Sequence, residues 1–346
     1  MIKSIKTKHL TQNILVKKLI CLFILIHFFA ESNAQSVSII SSDTKASFRG
    51  LSVVDNNTIW VSGSNGTIGK STDGGTTWKF ITIKGFEKID FRDIEAFDAM
   101  TAIVMGTDAP AYILKTIDGG TSWDVVFKDT SKGMFLDAME FWNEQSGIVI
   151  GDPIDGRFFI ARTFDGGKNW TPIPFQNRPL ADSGEACFAS SGTNIRKLNK
   201  QEAIFISGGF QSNCFIKDKK INAGIIQGTE STGANSLAIK NNNYFIIVGG
   251  DFNKKEDTTK NCFITNDGGK TWISPKTNPS GYRSCIEYLN KNKWVTCGLN
   301  GVDFSKDNGL NFTKISDTGF HVCRKAKKGN VVFFAGGGGR IGKLIK

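Results

Sequence analysis

Seven short segments of this chain each open on a residue suited to holding a polar or charged ligand: Arg49, Arg92, Asp137, Glu185, Asn235, Arg283 and His321. Arginine matches a carboxylate or phosphate through a planar, two-pronged donor fork. Arg49, Arg92 and Arg283 therefore read as a cationic set for an acidic partner or a carboxylate-bearing ligand, with Arg340 from a later loop on the same face. Covalent chemistry would need more. Tyr282, next to Arg283, with Glu185 or Glu287 is the best available nucleophile pair. Asp93 or Asp152 could serve as general acid, since glycoside hydrolysis needs two separated carboxyl groups. Spacing singles out none of these five as catalytic. Charges gathered at strand entrances are costly unless paired or hydrated. The face is thus either a binding site or a salt-bridged funnel, and the ring as a whole favours binding.

A second set of carboxylates is more conspicuous. The frame Ser/Thr-x-Asp-x-Gly-x-x-Trp/Phe occurs five times: Asp73-x-Gly75 with Trp78, Asp118-x-Gly120 with Trp123, Asp165-x-Gly167 with Trp170, Asp267-x-Gly269 with Trp272, and Asp307-x-Gly309 with Phe312. The tempting reading is five catalytic or calcium-binding aspartates. The structural one is preferred. The carboxylate can accept hydrogen bonds from turn amides, the glycine can adopt positive φ, and the aromatic ring is a large apolar wedge.

The elements that position both sets follow from the period. The aspartates are 45, 47, 102 and 40 residues apart, and the longest gap holds one degraded copy, with Lys217-Asp218-Lys219 in its place. Around each turn stand short β-branched and aromatic runs punctuated by Gly, Asn and Asp, the pattern of strands rather than helices. Seven units result, their first strands starting at Arg49, Arg92, Leu136, Glu185, Asn235, Arg283 and His321, and their second strands ending at Gly63, Gly106, Gly151, Gly208, Gly249, Gly298 and Gly336. Four antiparallel strands per repeat of this length make a propeller blade. The expected fold is all-β, a seven-bladed β-propeller over 35–346. Its last unit has three strands before Lys346, so the N-terminal strand Val37–Ser41 should complete that blade and remove the free edges. The aspartate turns join third to fourth strands, at the opposite end from the ligand-type face.

Residues 1–34 stand outside the repeat. Five lysines precede the apolar run Leu19–Ala30, and Glu31-Ser32-Asn33-Ala34 follows, with small residues Ser32 and Ala34 before a cut after Ala34, the order of a secretory signal peptide. The expected location is periplasmic or secreted, with no stable membrane span once the signal is removed. Without it the net charge falls from +11 to +7, from 38 basic and 31 acidic residues. That excess does not point to nucleic acid. Of the six remaining cysteines, none form a CxxC; they read as small core residues, with Cys285 and Cys297 the one pair to test for a disulfide. No His/Cys metal cluster is present, since His321 is the only mature-chain histidine. Gly337-Gly338-Gly339-Arg340-Ile341-Gly342 matches G-x-G-x-x-G, but that fingerprint requires a strand followed by a helix, and none is expected here. No cofactor and no metal are expected, and the chain is expected to be a monomer.

The Asp-Gly-x-x-Trp turns resemble the Asp box, or BNR repeat, of sialidase-type propellers. The mature chain as a whole resembles the photosystem II stability/assembly factor-like propellers, which are exported, seven-bladed and Asp-box-bearing. The resemblance implies a protein-binding or assembly scaffold with an arginine-bearing face, not an enzyme. A sialidase-like glycoside hydrolase, or an enzyme processing carboxylate ligands, is the alternative. The sialidase Phe-Arg-Ile-Pro motif survives here only as Phe48-Arg49-Gly50-Leu51. A third reading is the oxidoreductase label that related bacterial chains often carry; no flavin, nicotinamide, haem or metal motif supports it.

Overall fold

The computed structural model describes residues 35–40 and 44–345; residues 1–34, read above as a signal peptide, lie outside them. The chain forms seven antiparallel sheets arranged as the blades of a propeller. The only helix among the described residues is the single 3-10 turn Phe175–Asn177. Burial falls off along each blade. Second strands such as Ile59–Gly63 and Ala102–Gly106 are buried throughout, because neighbouring blades cover both faces, whereas outer strands such as Asp124–Asp129 are largely exposed. The ring closes as expected. Ser36–Ile40 pairs antiparallel with Ile341–Ile345, from Ser36 opposite Ile345 to Ile40 opposite Ile341, so the last blade is shared between the two ends of the propeller.

Four of the first strands enter through a β-bulge, which swings one residue out of the ladder. The extra residue is Arg49 between Phe48 and Gly50, Arg92 between Phe91 and Asp93, Asp137 between Leu136 and Ala138, and Asn235 between Ala234 and Ser236. The bulge also explains the glycines that end the second strands. A Cβ on Gly63 would strike the Ser47 carbonyl, and one on Gly249 the Gly233 carbonyl.

Two expectations about register need correction. Arg283 does not occupy the Arg49 position. Its amide donates to Gly249 O at 2.9 Å, just as the Phe48 amide donates to Gly336 O at 3.1 Å, so Arg283 takes the place of Phe48 and Ser284 that of Arg49. The fourth blade does not run unbroken from Glu185 either. Glu185–Ala186 pairs with Gly208–Gly209, the ladder resumes only at Ile195–Lys197, and residues 187–194 leave the sheet. This segment crosses the central channel as a plug. Ser190 O accepts from Arg49 of blade 1, Ser191 Oγ donates to Ser284 O of blade 6, Thr193 Oγ1 to Ser236 Oγ of blade 5, and Arg324 of blade 7 donates to Gly192 O. Gly192, at φ 61°, lies against the Asp93 carboxylate of blade 2, leaving no room for a Cβ.

The five aspartate turns share one geometry. In the first, Ser71 Oγ donates to Asp73 Oδ1 (2.9 Å) and accepts from Gly75 N (3.0 Å), while Thr77 N and Oγ1 donate to the Asp73 carboxylate. These bonds, those of Thr77 foremost, hold Asp73 down at about 2; Asn169 does the same for Asp165 and Thr271 for Asp267, both about 2, and Ser122 lowers Asp118. Asp307 lies low too, the donors of Asn311 outweighing its burial. The glycine two residues after each aspartate packs on the preceding blade: Gly75 on Phe333, Gly120 on Trp60, Gly167 on Ile103, Gly269 on Ile216, Gly309 on Ile246. The aromatic residue joins these inter-blade cores, as where Trp123 meets Trp60 edge-on and Trp170 meets Phe141. All six cysteines among the described residues are buried and free; Cys285 and Cys297 are direct cross-strand partners.

Candidate binding site

The strand entrances and the loops after the second strands meet in a cavity of about 410 Å³ above the plug. Of the residues singled out by sequence, Arg49, Arg92, Asp152, Asn235, Tyr282 and His321 all line it. The bulges are what aim Arg49, Arg92 and Asn235 inward. The cavity also takes in Phe135, Phe252, Leu299 and Ser284 from other blades and Ala186–Ser190 from the plug.

Its charges are unevenly matched. Arg92 Nε donates to Asp90 Oδ2 at 2.8 Å, and its guanidinium sits 5.9 Å from the Phe135 ring centre. Arg49 has no carboxylate partner among the described residues; its hydrogen bond goes to the Ser190 carbonyl at 3.4 Å. Burial lowers the Arg49 pKa, and the neighbouring Arg92 lowers it further. Asp152 is likewise unpaired. Its Oδ1 accepts from the Cys187 amide at 2.8 Å, and burial raises it to about 6. Asp137 is fully buried behind it, raised first by burial and then by Asp152, and neither of its oxygens has a hydrogen-bond partner. Burial of this kind favours the neutral form of a carboxyl. His321 is pushed down to about 3 by burial and then by Arg49, so the ring is neutral and its Nδ1–H donates to Phe48 O at 3.1 Å. The cavity thus carries cations on the side of blades 1 and 2 and one titratable carboxylate from blade 3.

Other candidates lie elsewhere. Arg283 is fully buried, its Nε donating to Asp303 Oδ2 at 2.6 Å and its Nη1 to Asn300; it serves the core of blade 6, so the three arginines do not converge. Glu185 is buried and bound by Ser207, Asn213 (2.9 Å) and Lys220 (2.8 Å). Asp93 lies mid-channel, raised by burial and accepting from the Ile94 and Met139 amides, both at 2.8 Å. Arg340 is exposed, outside the cavity lining. The Tyr282 hydroxyl donates to Asn235 Oδ1 at 2.8 Å and is raised by burial. Neither Glu185 nor Glu287 is its partner, since Glu287 serves Arg196 at the other end of the channel.

That lower mouth forms a cavity of about 270 Å³. There Arg196 bridges Glu140 and Glu287, both at 3.4 Å, Lys327 meets Glu95 at 2.7 Å, and Arg324 donates to Leu51 O and Gly192 O.

Sequence reasoning missed the plug and the apolar wall. The run Ala189-Ser190-Ser191-Gly192-Thr193 was a usable signal, being too small and glycine-rich for an inner strand. Phe135 and Phe252 had none beyond lying beside Leu136 and Asp251.

No family model matches the chain, and no curated protein sequence does. Solved structures do. The chain is similar to "YCF48 bound to D1 peptide" at TM-score 0.64 and 18% identity, covering 91% of this chain and 98% of that one. It is similar to YCF48 from Cyanidioschyzon merolae at TM-score 0.63 and 14% identity, with 89% and 98% covered. The WD40 β-propeller domain of Doa1 follows at TM-score 0.60 and 13% identity, with 92% and 98% covered. At such identities the likeness is one of fold, and function has to come from the site.

Proposed function

We propose that this propeller is an exported protein-binding or assembly scaffold, and that it engages an acidic partner through the cavity bearing Arg49 and Arg92. The observation that carries this reading is Arg49: a half-buried cation with no carboxylate partner, held beside a second arginine that destabilises its charge. An anionic group between the two would relieve that repulsion and satisfy both forks. The five aspartate turns, in geometry and placement, support reading them as Asp boxes that weld the blades rather than as a site. The likeness to a YCF48 structure holding a D1 peptide is in keeping with a scaffold role, and the apolar run in 1–34 with export.

The test is cross-linking capture from envelope extracts with wild type, Arg49→Ala, Arg92→Ala and Arg340→Ala. The same partner should be lost in the first two variants and kept in the third. Turnover of a fluorogenic glycoside panel, abolished by Arg49→Ala, would replace the scaffold with a hydrolase.

A further inference from the structure

The upper cavity holds opposite charges that do not neutralise each other. Arg49 and Asp152 line the same space, yet the hydrogen bond of Arg49 goes to a plug carbonyl and that of Asp152 comes from a plug amide. In a salt-bridged funnel such groups would pair directly, as Arg196 and Glu140 do at the lower mouth. Here the plug fixes them apart. Phe135, Phe188 and Phe252 line the same cavity, the last of them exposed. The volume falls in the range of small-molecule sites, about 300–1,000 Å³.

We propose that the upper cavity is a two-pole site for a small zwitterion with an apolar body, its carboxylate held by Arg49 and Arg92, its cationic group by Asp152, and its side chain by Phe135, Phe188 and Phe252. The chemical class is that of an aromatic or large aliphatic amino acid. The inference rests on reading this mouth as the binding face, and it names the ligand class that face selects. Asn235 is held by Tyr282 and Gly233, and Ser284 by the His321 carbonyl, while His321, neutral, adds no competing charge. Asp137 and Cys187, both raised first by burial, neighbour Asp152, and Arg92 of blade 2 is the cation that acts on Asp137. Asp152 lines the cavity whereas Asp137 does not, so Asp152 is the group whose ionisation sets the acidic pole, and the site should discriminate ligands by pH.

The test is calorimetric titration of the full mature chain with three probes: phenylalanine, 3-phenylpropionate, which lacks the amine, and 2-phenylethylamine, which lacks the carboxylate. At about pH 7.5 phenylalanine should bind at least about tenfold more tightly than either one-pole probe, the usual consequence of losing a hydrogen bond to a charged group. Asp152→Asn should bring phenylalanine down to the affinity of 3-phenylpropionate, and Arg49→Met to that of 2-phenylethylamine. A pH series on wild type needs no variant to fold: towards about pH 5 phenylalanine should weaken and 3-phenylpropionate tighten as Asp152 takes up its proton. Equal affinity for phenylalanine and 3-phenylpropionate at both pH values overturns the proposal. So does silence from all three probes; if partner capture still depends on Arg49 and Arg92, that result leaves the scaffold reading standing.

Discussion

The two mouths of the channel are lined by opposite ends of the same inner strands, and they treat charge in opposite ways. At the lower mouth Arg196 spans Glu140 and Glu287, and Lys327 takes Glu95. At the upper mouth Arg49 and Asp152 share a cavity without pairing. Burial penalises both ends alike, so the difference lies in what neutralises it. The lower network supplies its own counter-charges, while at the upper mouth Arg49 and Asp152 have, among the described residues, only backbone groups of the plug as hydrogen-bond partners. The plug keeps the two apart: its Ser190 meets Arg49 above and its Gly192 meets Arg324 below.

Variants can break or sharpen that contrast, beginning with the arginine that belongs to neither mouth. Arg283→Met would strand Asp303 as an uncompensated buried carboxylate and should cost about 3–5 kcal/mol in urea unfolding, with ligand binding by the surviving fold unchanged. Equal losses of binding in Arg283→Met and Arg49→Met would return Arg283 to the site. Arg196→Met should cost somewhat less, about 2–3 kcal/mol, because Lys197 and Arg324 remain near Glu140 and Glu287. A neutral result there would show that the lower network is not what stabilises its charges.

Asp152→Asn should act in the other direction. The folded-state pKa of Asp152, about 6, lies above the ordinary 3.8, so the folded chain holds a proton that the unfolded chain has released across that window. Its ionisation therefore costs stability as pH rises from about 4 to 6, and the full penalty is present above that. The variant should be more stable than wild type at pH 7 by about 1–2 kcal/mol, and equal to it near pH 4. Thermal melts at the two pH values check this; a loss of stability at pH 7 would mean that Asp152 is already compensated. The smallest effect on stability should come from Arg49→Met, within about 0.5 kcal/mol, despite its effect on binding.

Much of this was legible in the chain. The spacing of Asp73, Asp118, Asp165, Asp267 and Asp307 marks the blades, and the missing fourth strand before Lys346 calls for the N-terminal strand that Ser36–Ile40 supplies. The site was legible where a bulge residue is itself charged, as at Arg49 and Arg92. It was misread at Arg283, because aligning arginine with arginine slides the strand by one residue, and a one-residue slip moves a side chain to the other face. The plug was hidden for another reason. Period counting assumes that every unit completes its inner strand, and the hydrogen bonds that hold 187–194 in the channel come from residues such as Arg324, Ser284 and Ser236, far away in sequence.

The contrast between the mouths is tested most directly by fluorescence anisotropy of a labelled oligoglutamate peptide at low salt. It would be titrated with wild type, with the upper double variant Arg49→Met/Arg92→Met, and with the lower double variant Arg324→Met/Lys327→Met. Binding should fall at least about tenfold in the upper variant and stay within about twofold of wild type in the lower one. Equal weakening in both, or retention in the upper variant, would contradict the assignment of the upper mouth as the open, anion-seeking end.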